Sequence, residues 1–264
     1  MLKDKYTLED LIELMRVLRS EKGCPWDREQ DHESLKKYLL EEAYEVLEAI
    51  ELNDKDKLCE ELGDLLLQII FHAQIEAEKG GFTMDDIITS ICKKIITRHT
   101  HVFGKDNIST AEGVENNWEL IKKKEKGMRT QTEVLKAVPK NLPALMRSYK
   151  VQQKAAQVGF DWDNIEDVFN KVYEEIKELE DVYKSKNVER INDEVGDVFF
   201  AIVNLSRFLH VQPELALNHT INKFIKRFEY MEKESLKKGY KLEEMSLNEM
   251  DELWNEAKKY LRET

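Results

Sequence analysis

The stretch Asn192–Leu205, NDEVGDVFFAIVNL, is apolar almost all round from Val195 onward, yet it carries Glu194 and Asp197 three residues apart. Cys59–Ile70, CEELGDLLLQII, does the same with Glu61 and Asp64. Each is preceded by a second acidic segment, Tyr173–Val182 (YEEIKELEDV) and Glu41–Ile50 (EEAYEVLEAI). Carboxylates on an apolar helix are costly to bury unless they are paired or bind a cation. The same puzzle posed twice in one chain points to a duplicated unit.

Working outward from these segments extends the repeat. Leu14 pairs with Leu145, Trp26 with Trp162, Glu42 with Glu175, Asp64 with Asp197, Lys94 with Lys223, Arg98 with Arg227 and Trp118 with Trp254. The separations are 131, 136, 133, 133, 129, 129 and 136 residues. Two copies are too few for a solenoid, so two tandem domains of one fold are expected. The boundaries predicted are 1–125 for the N-terminal domain, 126–140 for a linker rich in Lys and Gly, and 141–264 for the C-terminal domain. With only 10 Gly and 4 Pro in 264 residues and Leu, Glu, Lys and Ala abundant, the chain reads as all-α. Each copy reads as a leading helix, a loop holding CPWD or FDWD, two acidic helices, a helix with a basic pair, and a closing helix with a Trp. That is a bundle of four to five helices. Pro213 is expected to open the basic helix of copy two.

Composition narrows the partners. The 41 Lys and Arg against 53 Asp and Glu leave a net charge of -12. No basic block interrupts the pattern, which argues against nucleic acid or an anionic membrane as the main partner. The odd count of three cysteines, with no CxxC pair, fits free thiols. Neither a signal peptide nor an apolar run long enough to span a bilayer is seen, so a soluble cytoplasmic protein is expected.

At about 100° per residue, the first acidic helix of copy two has the apolar stripe Val172, Ile176, Leu179 and Tyr183, with Glu175 and Glu178 roughly 60° and 120° to one side. The second has Ile191, Val195, Val198, Ile202 and Leu209, with Glu194 and Asp197 at similar offsets, and is expected to sit inside the bundle. If the stripes pack together, the four acids converge. A charged face beside Lys171, Lys177 and Lys184 is by itself no more than a solvated face; the apolar second helix is what argues for a site. Four carboxylates without His or Cys suit a hard cation, Mg2+ or Mn2+, whereas a di-iron bundle supplies Glu-x-x-His ligands. No P-loop motif occurs. Trp26 and Trp162 are expected to pin their loops onto the bundle. The HxH of His99 and His101 reads as structural or phosphate-adjacent in a loop.

EExxE followed by ExxD, as Glu174, Glu175, Glu178 with Glu194 and Asp197, and as Glu41, Glu42, Glu45 with Glu61 and Asp64, resembles the all-α nucleoside triphosphate pyrophosphohydrolases. GCPWD, RHTHVFG, QKAAQVGFDW and KFIKRF extend the resemblance, over nearly the whole chain, to the two-copy MazG family. It implies Mg2+-dependent hydrolysis of nucleoside triphosphates, ribo or deoxy, to monophosphate and pyrophosphate by a homodimer, with the C-terminal copy catalytic. On that resemblance Glu175, Glu178, Glu194 and Asp197 hold the metal, and Glu174 positions or deprotonates water. Lys171, Lys223 and Arg227 contact phosphates, Arg190 joins the substrate-binding set, and Trp254 lies near the base. Glu42, Glu45, Glu61 and Asp64 are the metal candidates of copy one, where Tyr38 replaces Lys171 and Trp118 only loosely matches Trp254. The rival reading is a non-catalytic, metal- and nucleotide-binding dimerisation module.

Overall fold

The computed structural model describes residues 2–263. Among them are thirteen α-helices, two short 3-10 turns and no strand. The chain divides into two compact units, residues 1–122 and 123–264. No helix among the described residues is long and apolar enough to cross a membrane.

In unit 1, α1 (Leu8–Leu18), α2 (Pro25–Glu29), α3 (His32–Glu51), α4 (Lys55–Glu78), α5 (Met84–Arg98), α6 (Thr100–Phe103) and α7 (Ala111–Glu125) follow in order. α3 and α4 form the main pairing, an antiparallel hairpin closed by a three-residue turn. α1 packs on α4, and the core is Met15, Leu35, Ile70, Phe71 and Ile75. In unit 2, α8 (Gln131–Lys136), α9 (Ala144–Ala156), α10 (Ile165–Val182), α11 (Val188–Phe208), α12 (Pro213–Lys237) and α13 (Leu247–Glu263) follow. α10 pairs with α11, α11 also meets α9, and α12 pairs with α13. Pro213 is the first residue of α12.

The turns repeat as the helices do. The connection between the acidic helices contains one left-handed residue in each unit, Asn53 (φ 52°) and Lys186 (φ 55°). The residue after the C-cap of α4 and of α11 is also left-handed, Gly80 (φ 73°) and His210 (φ 55°). Such residues end helices by satisfying their last carbonyls. The side-chain caps repeat in place too: Asp31 and Asn164 cap α3 and α10, and Asp54 and Asn187 cap α4 and α11.

Five expectations change. The segment 126–140, read as a linker, holds α8, which packs on α9 and buries Val134 and Val138. The CPWD loop is the short helix α2, and the HxH lies at the C-cap of α5 and within α6. The tryptophans are not the main pins: Trp162 is 42% exposed, and Trp26, 50% exposed, meets the bundle edge-on at Tyr38. Arginines fill that role. Arg19 donates to the carbonyls of Asp27 and Gln30 and pairs with Glu78 at 2.8 Å, while Arg207 pairs with Asp161. Finally, α11 is not enclosed within one chain: Phe199, Phe200, Ile202 and Leu209 are exposed, and only Ala201 and Val203 are buried. Its apolar surface exceeds what α9 and α10 cover.

Candidate active site

The buried face of α10 runs through Val168, Val172, Glu175 and Val182. Glu175 therefore lies in the core stripe itself, not beside it, because i+3 from Val172 falls on the face turned to α11, whereas Ile176 and Tyr183 are exposed. Its residue exposure is 7%. Across from it, α11 presents Glu194 and Asp197. Carboxylate oxygens of Glu175, Glu194 and Asp197 all lie within 4.8 Å of one another. Glu178 stands outside this set but feels it: desolvation first, then the charge of Glu175 and that of Glu194, push its carboxyl above the usual range. Arg190 is one turn before Glu194 on α11, exposed, at i and i+4 on the acidic face.

Lys171 supplies the cation this cluster has of its own. Its ammonium lies 2.7 Å from Glu175 and 2.9 Å from Glu174. The hydrogen bonds to Glu175 and then Glu174 hold its pKa well above the ordinary lysine value. The basic helix builds a separate group. The Arg227 guanidinium lies 5.5 Å from the centroid of Trp254, and Phe224 packs against the same ring at 4.9 Å. Arg227 Nε is buried without a hydrogen-bond partner among the described residues. Lys223 is one turn earlier on α12 and half-buried. No hydrogen bond or ion pair among the described residues joins Lys223, Arg227 or Trp254 to the acidic set. The structure thus gathers three of the four named acids with Lys171 and Glu174, and separately Arg227 with Trp254.

Residues 30–103 and 164–231 match the MazG nucleotide pyrophosphohydrolase domain, once in each unit. The chain belongs to the MazG family. Among its relatives is the nucleoside triphosphate pyrophosphohydrolase/pyrophosphatase MazG of Thermotoga maritima, 46% identical over 250 residues and 95% of both chains. The nucleoside triphosphate pyrophosphohydrolase of Escherichia coli is 40% identical over 257 residues, 96% of this chain and 97% of that one. YabN of Bacillus subtilis is 47% identical over 246 residues, which is 93% of this chain but 50% of that protein. The two matched MazG segments contain both acidic sets and both basic pairs, and leave out Trp118 and Trp254.

Unit 1 gathers a different three of its four acids, Glu42, Glu45 and Glu61, with Asp64 outside the mutual 4.8 Å set. Burial first, then Asp64 and Glu45, raise the pKa of Glu42. Trp118, a loose match by sequence, repeats the partnership of unit 2: the Arg98 guanidinium lies 5.6 Å from its ring centroid. His99 adds to it at 5.9 Å, and His101 Nδ1 is buried without a hydrogen-bond partner among the described residues. The thiols of Cys24, Cys59 and Cys92 are free. Sequence reasoning missed Phe224 beside Trp254, the Arg19 and Arg207 clamps, and a chain of His32, His72 and Glu76. The first had a signal, since Phe224 and Arg227 are i, i+3 on one face; the others join positions distant in sequence.

Proposed function

We propose that this chain hydrolyses nucleoside triphosphates to nucleoside monophosphates and pyrophosphate, in unit 2, with Mg2+ held by Glu175, Glu194 and Asp197 and supported by Glu178. The observation that carries this reading is the carboxylate group in the α10–α11 interface, with Glu175 in the core stripe. Its donors are all oxygen, which fits a hard cation. The raised pKa of Glu178 fits it too, because a cation relieves mutual repulsion among carboxylates. The cation supplies neutralisation of the phosphate oxygens and of the leaving pyrophosphate.

The chain's own groups do the rest. Lys171 is tied to Glu174 and Glu175, and an incoming triphosphate would compete for its ammonium. Transfer of Lys171 to phosphate frees Glu174, which is exposed and able to accept a proton from the attacking water. Arg227 has an unsatisfied Nε–H and a guanidinium able to turn toward phosphate, and Lys223 lies one turn away on the same face. Trp254, with Phe224 behind it, offers an aromatic face to a base. Arg190, exposed one turn before Glu194, adds a cation beside the acidic face of α11.

A second copy of the chain is the expected partner. The accessible surface is 19,484 Å², whereas two compact domains of half its mass would together expose roughly 14,000–15,000 Å². Phe199, Phe200, Ile221, Phe224, Ile225 and Phe228 contribute to that excess. Incubation with each nucleoside triphosphate and Mg2+, with products resolved, tests the reaction. Monophosphate plus pyrophosphate supports it; diphosphate plus inorganic phosphate sinks it, and no turnover favours the binding-module reading. Light scattering behind size exclusion tests the dimer.

A further inference from the structure

Unit 1 contains a hydrogen-bonded chain of three titratable groups that the proposed reaction does not use. His32 is the first residue of α3, while His72 and Glu76 lie one turn apart near the end of α4. His32 Nε2 is 2.6 Å from Glu76 Oε1, and His32 Nδ1 is 2.7 Å from His72 Nδ1. The ring centroids are 5.0 Å apart with an interplanar angle of 17°. That separation is the nitrogen–nitrogen distance plus the two ring radii, so the rings lie edge to edge and nearly coplanar, the geometry of an in-plane hydrogen bond.

Proton counting then constrains the chain. Glu76 accepts from His32 Nε2–H, so with both rings neutral His32 Nδ1 is an acceptor and His72 Nδ1–H donates to it. One added proton goes to His72 Nε2 and leaves every hydrogen bond in place. A second added proton has only His32 Nδ1 to occupy. Two N–H groups would then face each other across 2.7 Å, and two cations would share one edge.

We propose that Glu76, His32 and His72 form a proton-sensitive latch tying the start of α3 to the end of α4, closed while a single proton lies between the rings and opened when both rings are protonated. The latch bears on the stretch 25–31. Arg19 holds the carbonyls of Asp27 and Gln30 from α1 and pairs with Glu78 on α4. Trp26 lies edge-on to Tyr38, the residue standing where unit 2 has Lys171. Opening releases a tie that holds the end of this stretch to α4 beside the Arg19 clamp.

The surrounding charges are few. On α4 they are Glu78, paired with Arg19, and Lys79, 3.7 Å from Glu76. Asp31 caps α3, its carboxyl held low chiefly by the Ser34 backbone N–H. α5 packs on the same core through Met84 and has Asp85 and Asp86 in its first turn, the latter bonded to Thr83. Burial, and then His32, lower the pKa of His72. A lowered histidine pKa stabilises the closed form above the unfolded value near 6.5, and the contribution is lost as pH falls below it. Unit 2 has no such device: at the offset of 133 that relates Glu42 to Glu175, the three positions are Ile165, Leu205 and Leu209.

Because the closed pair takes up at most one proton and the separated rings take two, the closing equilibrium weakens at least about tenfold per pH unit below 6.5. Hydrogen exchange on the full chain at pH 7.5 and 5.5, corrected for intrinsic rates, reads this directly. Amides of residues 28–38 should lose protection at least about tenfold in the wild type, while those of 161–171 hold theirs. In His72→Leu, which copies unit 2, and in His72→Gln, the loss should vanish. An equal loss in the variants overturns the latch. So does nuclear magnetic resonance of the wild type if the two rings titrate independently near 6.5, a result that stands even if a variant fails to fold.

Discussion

Units 1 and 2 carry the same four acidic positions on the same two helices, and they balance them differently. In unit 2, Lys171 lies between Glu174 and Glu175. In unit 1 the place of Lys171 is taken by Tyr38, with the Lys37 ammonium 4.5 Å from its ring centroid, and Lys57, whose charge reaches Glu61 and Glu45, is paired with Glu48. The basic helices diverge as well. α12 runs unbroken for 25 residues under α13, burying Met231 and Ser235 against Leu253 and Ala257. α5 runs for 15, buries nothing fully, and gives way to α6. A duplicated acidic motif is therefore not a duplicated site. What distinguishes the copies is the cation that accompanies the acids and the length and burial of the helix that carries the basic pair.

The sharpest way to break this comparison is to remove one ligand charge from each copy. Asp197→Asn keeps shape and should lower steady-state pyrophosphate release by about two to three orders of magnitude, on the scale of deleting one group that stabilises transition-state charge. Circular dichroism should show the fold retained, since Asp197 is exposed and an amide of the same shape displaces nothing in the core. Asp64→Asn, already outside its carboxylate set, should leave most of the activity. Reversal of the two results would move the active copy to unit 1, and two unaffected variants would remove the carboxylate site altogether.

Lys171→Met probes the second difference. Removing one member of a fully buried pair costs about 3–5 kcal/mol. With Lys171 a third exposed, about 1–2 kcal/mol is expected in metal-free protein. Mg2+ should recover part of that loss, because it offers Glu175 another cation. A melting temperature unchanged by the substitution without metal would mean that the ion pair balances nothing. The mirror substitution, Tyr38→Lys, should stabilise metal-free unit 1 and weaken the response of its melting to Mg2+.

The duplication, the helical class and the pairing of the acidic helices were all legible in the sequence, because offsets and 3.6-residue periodicity survive without knowledge of packing. The orientation of Glu175 was not. Hydrophobicity placed the stripe on Ile176, but the face turned to α11 passes through a carboxylate, and no apolar index marks a buried acid. The enclosure of α11 misled for a related reason: an apolar helix reads as covered whether its cover is in the same chain or elsewhere. The histidine latch links His32 and His72 through space across forty residues, so no local spacing announced it. Trp118 looked mismatched only because a different number of residues separates it from Arg98 than separates Trp254 from Arg227.

A smaller effect concerns how the acid sets respond to pH. Burial and neighbouring acids raise the pKa of Glu42 in unit 1, and a carboxyl with a raised pKa favours folding at low pH and opposes it as pH climbs above the unfolded value near 4.5. Glu42→Gln should therefore raise the melting temperature of metal-free protein at pH 7 relative to pH 4.5. The shift should shrink when Mg2+ is added to the wild type. If the variant and the wild type keep the same difference at both pH values, Glu42 is not strained by its neighbours.

The smallest expected effect is at Gly63 and Gly196, which precede Asp64 and Asp197 in the middle of α4 and α11. A glycine inside a helix costs about 0.8–1 kcal/mol relative to alanine. A Cβ added at either position meets nothing within 4 Å in the single chain. Read from one chain alone, Gly63→Ala and Gly196→Ala should each stabilise by up to about 1 kcal/mol, visible as a modest rise in melting temperature. A second copy resting against the exposed apolar face of α11 would reverse the sign at Gly196, because the new methyl group would occupy space that the partner's surface needs. The two variants thus sharpen the comparison between the units. A rise at Gly63 with a fall at Gly196, and dissociation of the dimer on dilution in the second variant alone, would place the partner against unit 2. Equal rises at both would leave both glycines facing solvent and put the dimer contact elsewhere.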